Sequence, residues 1–453
     1  MFVFARENVM LPRIYRNKID FYTKKRMRSF LNTKKAIKRK IPTISDKQFN
    51  GFIEYLINNK YLNNHYKVHN GVAYLRIPKS FSFSSNPTET LETIKMLVGM
   101  YTNPKVDTIY IDHNDCNELD LGASLLMDAI IFEIDFRRKL IKSPISFKGQ
   151  FKHTHGNIEN ESVVELLICS GVLKHLGVYG DKPLPPDVQI LDFYDQYIKR
   201  HKNINHADAG QKVADYFNRC YESCNFQISE KGRNKLTDLV SEIVLNCENH
   251  SGKSKRWFCQ GHFHMLPNRR NDGRLGVCQL SIISIGNTFY QSIVKCGTTY
   301  INKKLNKQFK LVTDEWKNLK GILASEKKKE LYFMLYCLQE NISRLKDEEG
   351  EQDRGKGTKT LFLNFQDLGK TLEGEKPILS ITSGNCNIVF DGTYRMIGDD
   401  NSPKIIAFNE DNDLCKEPDE RYVRNIESFF PGVIINLKFY IDEKYIIDLI
   451  SDL

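Results

Sequence analysis

Apolar and polar residues alternate in several short stretches of this chain, and such alternation predicts strands with one buried face. In the first half the pattern covers 106–111, and a turn-rich stretch then leads into 121–138, where apolar residues have helical spacing. A second helix is predicted over 162–173, and residues 190–193 fit the beginning of either a strand or a helix. A strand, a loop and a helix in this order indicate an α/β unit.

The second half begins with helical spacing over 230–249, followed by alternation over 257–265 and 275–285. These two stretches predict neighbouring strands joined by a turn at 267–273. A further helix, a charged loop with glycines and three strands are predicted at 314–346, 346–359, 378–383, 387–390 and 432–440. The second half is therefore also α/β in its pattern.

The chain length predicts more than one domain, because 453 residues exceed the size at which a single core usually divides. We predict four parts. They are a basic segment over 1–65, an α/β domain over 66–195, a helical and polar connector over 196–228, and a second α/β domain over 229–453.

Positive charge is concentrated at the beginning of the sequence. The chain carries a net charge of +10, and residues 1–50 contain 14 Lys or Arg against 3 Asp or Glu. A patch of cations over 13–40 can bind a nucleic-acid backbone, so we name nucleic acid as a candidate partner. The alternative is a solvated basic arm, since no base-reading motif accompanies these cations.

Hydropathy and cysteine usage predict a cytoplasmic protein without a membrane span. No apolar run approaches the roughly 20 residues that cross a bilayer, and the first residues lack the apolar stretch of a secretory signal. The 11 cysteines have no regular framework spacing, which is typical of buried thiols in a reducing compartment.

The most informative polar pattern lies on the helix predicted over 230–249. Glu242, Asn246 and His250 follow one another at four-residue spacing, so they share one side of that helix. A carboxamide oxygen can bind Mg²⁺, and a carboxylate can deprotonate an attacking water. Without further context, the same triplet is simply the solvated side of an amphipathic helix.

The sequence LVSEIVLNCENHSG around this triplet resembles the N box of the GHKL ATPases, which include gyrase, Hsp90, histidine kinases and MutL. The resemblance implies that the C-terminal domain has the Bergerat fold, an α+β two-layer sandwich that binds ATP with Mg²⁺. It makes Glu242 the catalytic base and Asn246 the Mg²⁺ ligand, with Asn249 and His250 beside the nucleotide.

Two later stretches resemble the glycine boxes of the same family. In QLSIISIGNTF, Ser284 stands where the family has the aspartate that recognises adenine, and Gly286 and Thr288 occupy the two glycine positions. In DRGKGTKT, Arg354, Gly355, Lys356, Gly357 and Thr358 correspond to the second box, which approaches the phosphates. Thr382 is expected at the floor of the pocket, on a late strand. A strand that ends in an ordinary turn glycine is the alternative for the first box.

A zinc site is the main competing chemistry. Cys220, Cys224, Cys259, His262 and His264 include suitable ligand types, but their spacing matches no common zinc pattern. If 257–265 is a strand, Cys259 and the two histidines lie on opposite faces. The sequence therefore disfavours this site, and His113 is interpreted as a polar loop residue.

The stretch VDTIYIDHNDCNELDLGASLLMDAI in the first half resembles the STAS domain of anti-sigma factor antagonists. The family's phosphoacceptor is missing, since Asp120 and Leu121 precede Gly122. A STAS-like domain of this kind implies a surface for a protein partner.

Together, the resemblances predict an ATP-driven switch with slow hydrolysis. They imply a homodimer, action on nucleic acid or on a protein partner, and a role in phage defence by family association. Two alternatives stay open: a GHKL protein serine kinase of the anti-sigma type, and a scaffold that does not hydrolyse nucleotide, which the serine at position 284 favours.

Overall fold

The computed structural model of the protein describes residues 52–58, 60–140, 145–150, 158–169, 171, 188–195, 206–250, 256–267, 274–292, 326–339, 362, 365, 376–398, 404–414 and 416–442. Within these ranges the chain is mixed α/β. Among the described helices, none combines the length and the apolar character that crossing a bilayer requires.

The first unit is a small sheet with helices packed on one face. Its helices are α1 (Phe52–Asn58), α2 (Pro87–Thr102), α3 (Leu121–Leu140) and α4 (Ile158–Cys169). Its strands are β1 (Val68–His69), β2 (Val72–Arg76), β3 (Ser80–Phe81), β4 (Thr108–Asp112), β5 (Glu118–Leu119) and β6 (Ser146–Gln150).

The order in the main sheet of this unit is β1-β2-β4-β6, and β2, β4 and β6 are parallel. Parallel neighbours need a crossover connection, which α2 and α3 supply. The strand predicted at 106–111 and the helices predicted at 121–138 and 162–173 are confirmed as β4, α3 and α4, with shifted bounds.

The second unit is a larger antiparallel sheet with the order β10-β11-β9-β8-β7. Its strands are β7 (Gln189–Asp195), β8 (Arg256–Pro267), β9 (Arg274–Ile285), β10 (Ile378–Phe390) and β11 (Val423–Asp442). Its helices are α5 (His206–Ser223), α6 (Glu230–His250) and α7 (Glu326–Cys337). The sequence left residues 190–193 open between strand and helix, and they lie in β7, which pairs with β8 although it precedes the predicted boundary at 195.

The two units form four layers. Helices α2 and α3 lie between the small sheet and one face of the large sheet, in a core that includes Phe258, Ile283 and Ile434. Helices α5, α6 and α7 cover the opposite face, in a second core with Trp257 and Ile282. Because α3 is covered on two sides, its apolar residues surround the helix and are not confined to one stripe.

Helices α5 and α6 form a closely packed pair. A Cβ atom at Gly210 of α5 would lie 2.1 Å from the Ser241 hydroxyl and 2.6 Å from the Thr237 carbonyl oxygen of α6. Arg233 of α6 also pairs with Asp215 of α5. The connector that the sequence predicted to be helical and polar therefore contains a helix with a buried face.

The strand pair predicted at 378–383 and 387–390 is one continuous strand, β10, with an irregular register around Gly384. Gly384 has a φ of +61°, which side-chain-bearing residues rarely adopt. The glycine therefore gives β10 a bulge in place of the predicted interruption.

Candidate functional site

One row of residues crosses the large sheet where β9 ends. The register aligns Trp257 of β8, Ser284 of β9, Val433 of β11 and Ser383 of β10. Alternation along β9 puts Ser284 on the same face as Ile282, which is the face covered by α5, α6 and α7. Ser284 is buried beside Trp257, which is fully buried. The row therefore forms a floor of small hydroxyl and aromatic side chains under those helices.

The chain leaves the sheet at Gly286, directly after the last residue of β9. Gly286 has a φ of +149°, and its N–H donates to the Pro431 carbonyl at 3.0 Å. Its own carbonyl accepts a hydrogen bond of 3.1 Å from the hydroxyl of Tyr55, on α1. The turn at the end of β9 is thus held from both units.

Thr288 has a structural role that the sequence reading missed. Its hydroxyl accepts a hydrogen bond from the N–H of Gln291, and its own N–H donates to the Gln291 side chain, both at 3.1 Å. This reciprocal pair is a capping box at the start of the helical turn 289–292. The Thr-x-x-Gln spacing was the signal that could have revealed it.

Ser383 lies close to this turn. Its hydroxyl accepts a hydrogen bond of 3.1 Å from the N–H of Phe289 and donates one of 2.9 Å to the Gly432 carbonyl. The next residue, Gly384, approaches α7, because a Cβ atom there would lie 2.9 Å from a carboxylate oxygen of Glu330. The structure therefore brings the end of β9, the bulge of β10 and α7 together.

Thr382 lies on the other face of the sheet. Its hydroxyl accepts a hydrogen bond of 2.9 Å from the side chain of Asn387, which also donates to the Phe83 carbonyl of the first unit at 2.9 Å. Leu379 and Ile381, which alternate with it along β10, point toward α5, α6 and α7. The structure thus separates Thr382 from Ser284.

The residues of the predicted N box lie on α6. Glu242, Asn246, Asn249 and His250 all belong to this helix, and their side chains are outside the described residues. The buried side of the helix includes Val240, Ile243, Val244 and Cys247. This apolar side packs on the face of the sheet that carries Ser284, so the apolar side predicted for α6 is confirmed.

Arg354, Gly355, Lys356, Gly357 and Thr358 of the second glycine box lie outside the described residues. The basic patch over 13–40 lies outside them as well.

A second polar cluster lies between the two units, on the sheet face opposite α6. Glu165 of α4 approaches His262 of β8, with 3.8 Å between a carboxylate oxygen and Nε2. The ring centroids of His262 and His264 are 5.2 Å apart. One ligand atom from each of the three residues lies within 4.8 Å of the others. The structure therefore gathers two imidazoles and a carboxylate from distant parts of the sequence.

These three side chains have few hydrogen-bond partners among the described residues. Both ring nitrogens of His262 and His264, and Oε1 of Glu165, are buried and have no hydrogen-bond partner among the described residues. Burial lowers the pKa of His264 to about 4, assisted by the positive charge of Lys438. Burial lowers the pKa of His262 as well, and it raises the pKa of Glu165 to about 7. Both imidazoles are therefore neutral at physiological pH.

The cysteines that were candidate zinc ligands together with these histidines lie outside the cluster. Cys220, Cys224 and Cys259 are not in this cluster, and Cys220 and Cys259 belong to the core on the α6 face. The expected separation of Cys259 from His262 and His264 across the strand is confirmed. Sequence reasoning missed Glu165, which is almost 100 residues away from the histidines and in the other unit.

A further polar contact explains Gly122, the glycine of the stretch that resembles the STAS domain. Asp120 caps α3 by accepting a hydrogen bond of 2.7 Å from the N–H of Ala123, and burial raises its pKa to about 6. A Cβ atom at Gly122 would lie 1.9 Å from the side-chain oxygen of Asn436 on β11. The glycine therefore permits close contact between α3 and the large sheet.

No protein-family model matches this chain, and no curated protein or solved structure matches it either.

Proposed function

We propose that the second unit is a GHKL-type nucleotide-binding domain that binds ATP with Mg²⁺ and hydrolyses it slowly. In this proposal Glu242 is the base that activates water, and Asn246 is the Mg²⁺ ligand. The observation that carries the proposal is the position of the helix with Glu242 and Asn246 over the sheet face where β9 ends at Gly286.

The connection between α6 and β8 supports this arrangement. Five residues separate His250, the last residue of α6, from Arg256, which pairs with Ile285 at the end of β9. A segment of this length spans at most about 20 Å. The last turn of α6 and the Gly286 turn therefore lie at the same end of the sheet, as a site shared by the two requires.

The order of the elements supports it further. The second unit begins, from α6 onward, with the helix that carries the N-box residues. It continues with the antiparallel strands β8 and β9, helix α7 and the closing strand pair β10 and β11. The second glycine box lies between α7 and β10 in the sequence. The four family signals therefore occur in this chain in the order that the resemblance implies.

Recognition of the base would use a hydroxyl group in this proposal. Ser284 occupies the position of the family's aspartate, whereas the hydroxyl of Ser383 in the same row already bonds to Phe289 and Gly432. A hydroxyl can donate and accept a hydrogen bond, whereas an ionised carboxylate only accepts. We therefore expect weaker discrimination between adenine and guanine than an aspartate would give.

The test is a phosphate-release assay with ATP and Mg²⁺ on the wild-type protein and on Glu242→Ala, with calorimetric titration of both by the same nucleotide. We expect turnover to fall by about 10²- to 10⁴-fold in the variant, because the general base is lost, while ATP still binds. Glu222→Ala, which removes an exposed glutamate of α5, is the matched control and should leave turnover unchanged.

Absence of ATP binding by the wild-type protein would refute the proposal and favour a scaffold. If label from γ-labelled ATP accumulates on protein while free phosphate does not form, the serine-kinase alternative would replace hydrolysis.

A further inference from the structure

The cluster of Glu165, His262 and His264 lies on the opposite side of the large sheet from the proposed nucleotide site. We propose that these three residues bind a divalent transition-metal ion, and Zn²⁺ fits them best. The bound ion would bridge α4 of the first unit and β8 of the second. This site is independent of ATP binding.

The donor set suits such an ion. Neutral imidazole nitrogens and a carboxylate oxygen are the usual ligands of Zn²⁺ when cysteine is absent, and two histidines with one acidic residue are a known three-ligand combination. Mg²⁺ and Ca²⁺ prefer oxygen ligands alone, so the two imidazoles select against them.

The backbone presents the two histidines together. They are two residues apart on β8, so their side chains leave the same face of the strand. Ligands around a tetrahedral Zn²⁺ ion lie about 3.3 Å apart, given Zn–N and Zn–O distances near 2.0 to 2.1 Å. The atoms of the cluster lie within 4.8 Å of one another. Binding of the ion would therefore require them to move together by about 1.5 Å.

The imidazole nitrogens of the cluster are buried without hydrogen bonds from the described residues, so binding an ion there is favourable. His262 is 1% exposed and His264 is 2% exposed, and none of their four ring nitrogens has a hydrogen-bond partner among the described residues. Buried polar atoms of this kind are costly unless something satisfies them. A metal ion would satisfy one nitrogen of each ring and the carboxylate oxygen at once.

Three protein ligands leave a fourth position open. The side chain of Glu165 is 28% exposed, so the cluster is not sealed on the α4 side. A water molecule or an anionic group of a ligand can therefore complete the coordination. The ion would also connect α4 and β8, which no short stretch of sequence joins.

The experiment uses the full-length protein, stripped with a chelator and desalted. Titration with Zn²⁺ should give one equivalent bound per chain and a higher unfolding temperature, because binding to the native state alone stabilises it. Replacement by Co²⁺ should give the visible absorption of a cobalt ion with nitrogen and oxygen ligands. Glu165→Gln and His264→Gln should each weaken Zn²⁺ binding by about tenfold or more.

The matched control is His113→Gln, which removes a buried histidine outside the cluster whose two ring nitrogens have no hydrogen-bond partner in the described part of the chain. It should bind Zn²⁺ like the wild-type protein. Circular dichroism establishes that each variant is folded, and the cobalt spectrum of the wild-type protein tests the site even if a variant does not fold. The proposal is overturned if the wild-type protein does not bind Zn²⁺ or Co²⁺ at micromolar concentration, or if folded Glu165→Gln and His264→Gln bind Zn²⁺ as tightly as the control.

Discussion

The hydroxyl of Tyr55 donates a hydrogen bond of 3.1 Å to the carbonyl of Gly286. Tyr55 belongs to α1 of the first unit, and Gly286 is the glycine at which β9 of the second unit ends. The bond therefore connects the first unit to the turn that the nucleotide proposal uses. A change in the docking of α1 would alter the position of that turn.

Tyr55→Phe tests this connection. The variant retains the ring and removes the donor, so we expect the free energy of unfolding to fall by about 1 kcal/mol. Tyr74→Phe is the control, because the side chain of Tyr74 is 54% exposed. Urea denaturation followed by circular dichroism measures both. Equal midpoints for the two variants would mean that the Tyr55 hydroxyl contributes nothing to stability.

Gly210→Ala tests the close packing of α5 against α6. The added methyl group would meet the Ser241 hydroxyl and the Thr237 carbonyl, so the helices must separate. We expect a loss of about 1 to 2 kcal/mol in the free energy of unfolding, because overpacking outweighs the better helix propensity of alanine. If Glu242 and Asn246 act on ATP, the displacement of α6 should also weaken nucleotide binding.

The control for that substitution is Gly232→Ala, also in a helix. Its added methyl group would lie 2.9 Å from the Cγ2 methyl of Ile228, just before the helix, and it would meet no atom of a facing helix among the described residues. Its stability should be unchanged or up to about 1 kcal/mol higher. A Gly210→Ala protein as stable as Gly232→Ala would contradict the close packing of the two helices.

The buried histidine at position 113 predicts sensitivity to acid. His113 is 1% exposed, and burial lowers its pKa to about 4, against 6.5 for an ordinary histidine. Between these two values the unfolded chain binds the proton and the folded chain does not. The free energy of unfolding should therefore fall as the pH decreases from about 6.5 to 4, by up to about 3 kcal/mol from this residue.

Denaturation midpoints of the wild-type protein and His113→Gln, measured across this pH range, check the prediction. The variant should show a shallower decrease, and some decrease should persist, because burial also lowers the pKa values of His262 and His264. His65→Gln alters an exposed side chain and should follow the wild-type curve. Parallel curves for the wild-type protein and His113→Gln would exclude His113 as a source of acid sensitivity.

Much of the secondary structure followed from the sequence. The alternation over 257–265 and 275–285 and the helical spacing over 230–249 correspond to β8, β9 and α6. Periodicity of this kind is local, since it depends only on which side chains share a face of one element. The same local rule correctly separated Cys259 from His262 and His264 on β8.

Only the tertiary structure decided what each face contacts. The alternation predicted for β9 indicates one buried face, whereas the strand is buried on both, because α3 covers one face and α5, α6 and α7 cover the other. Thr382 looked equivalent to Ser284 as a pocket residue, and the pairing of β10 put it on the opposite face. A one-residue offset in a strand is sufficient to exchange the two faces, so such assignments depend on register and not on composition.

The position of Glu165 also depends on the tertiary structure and not on local sequence. The sequence determined that His262 and His264 share one face of a strand, because residues two apart in a strand always do. It did not determine that a glutamate of α4 would approach them, since that contact arises only when the first unit packs on the large sheet. Local periodicity defines the elements and their faces, whereas the joint burial of distant apolar surfaces decides which polar groups meet.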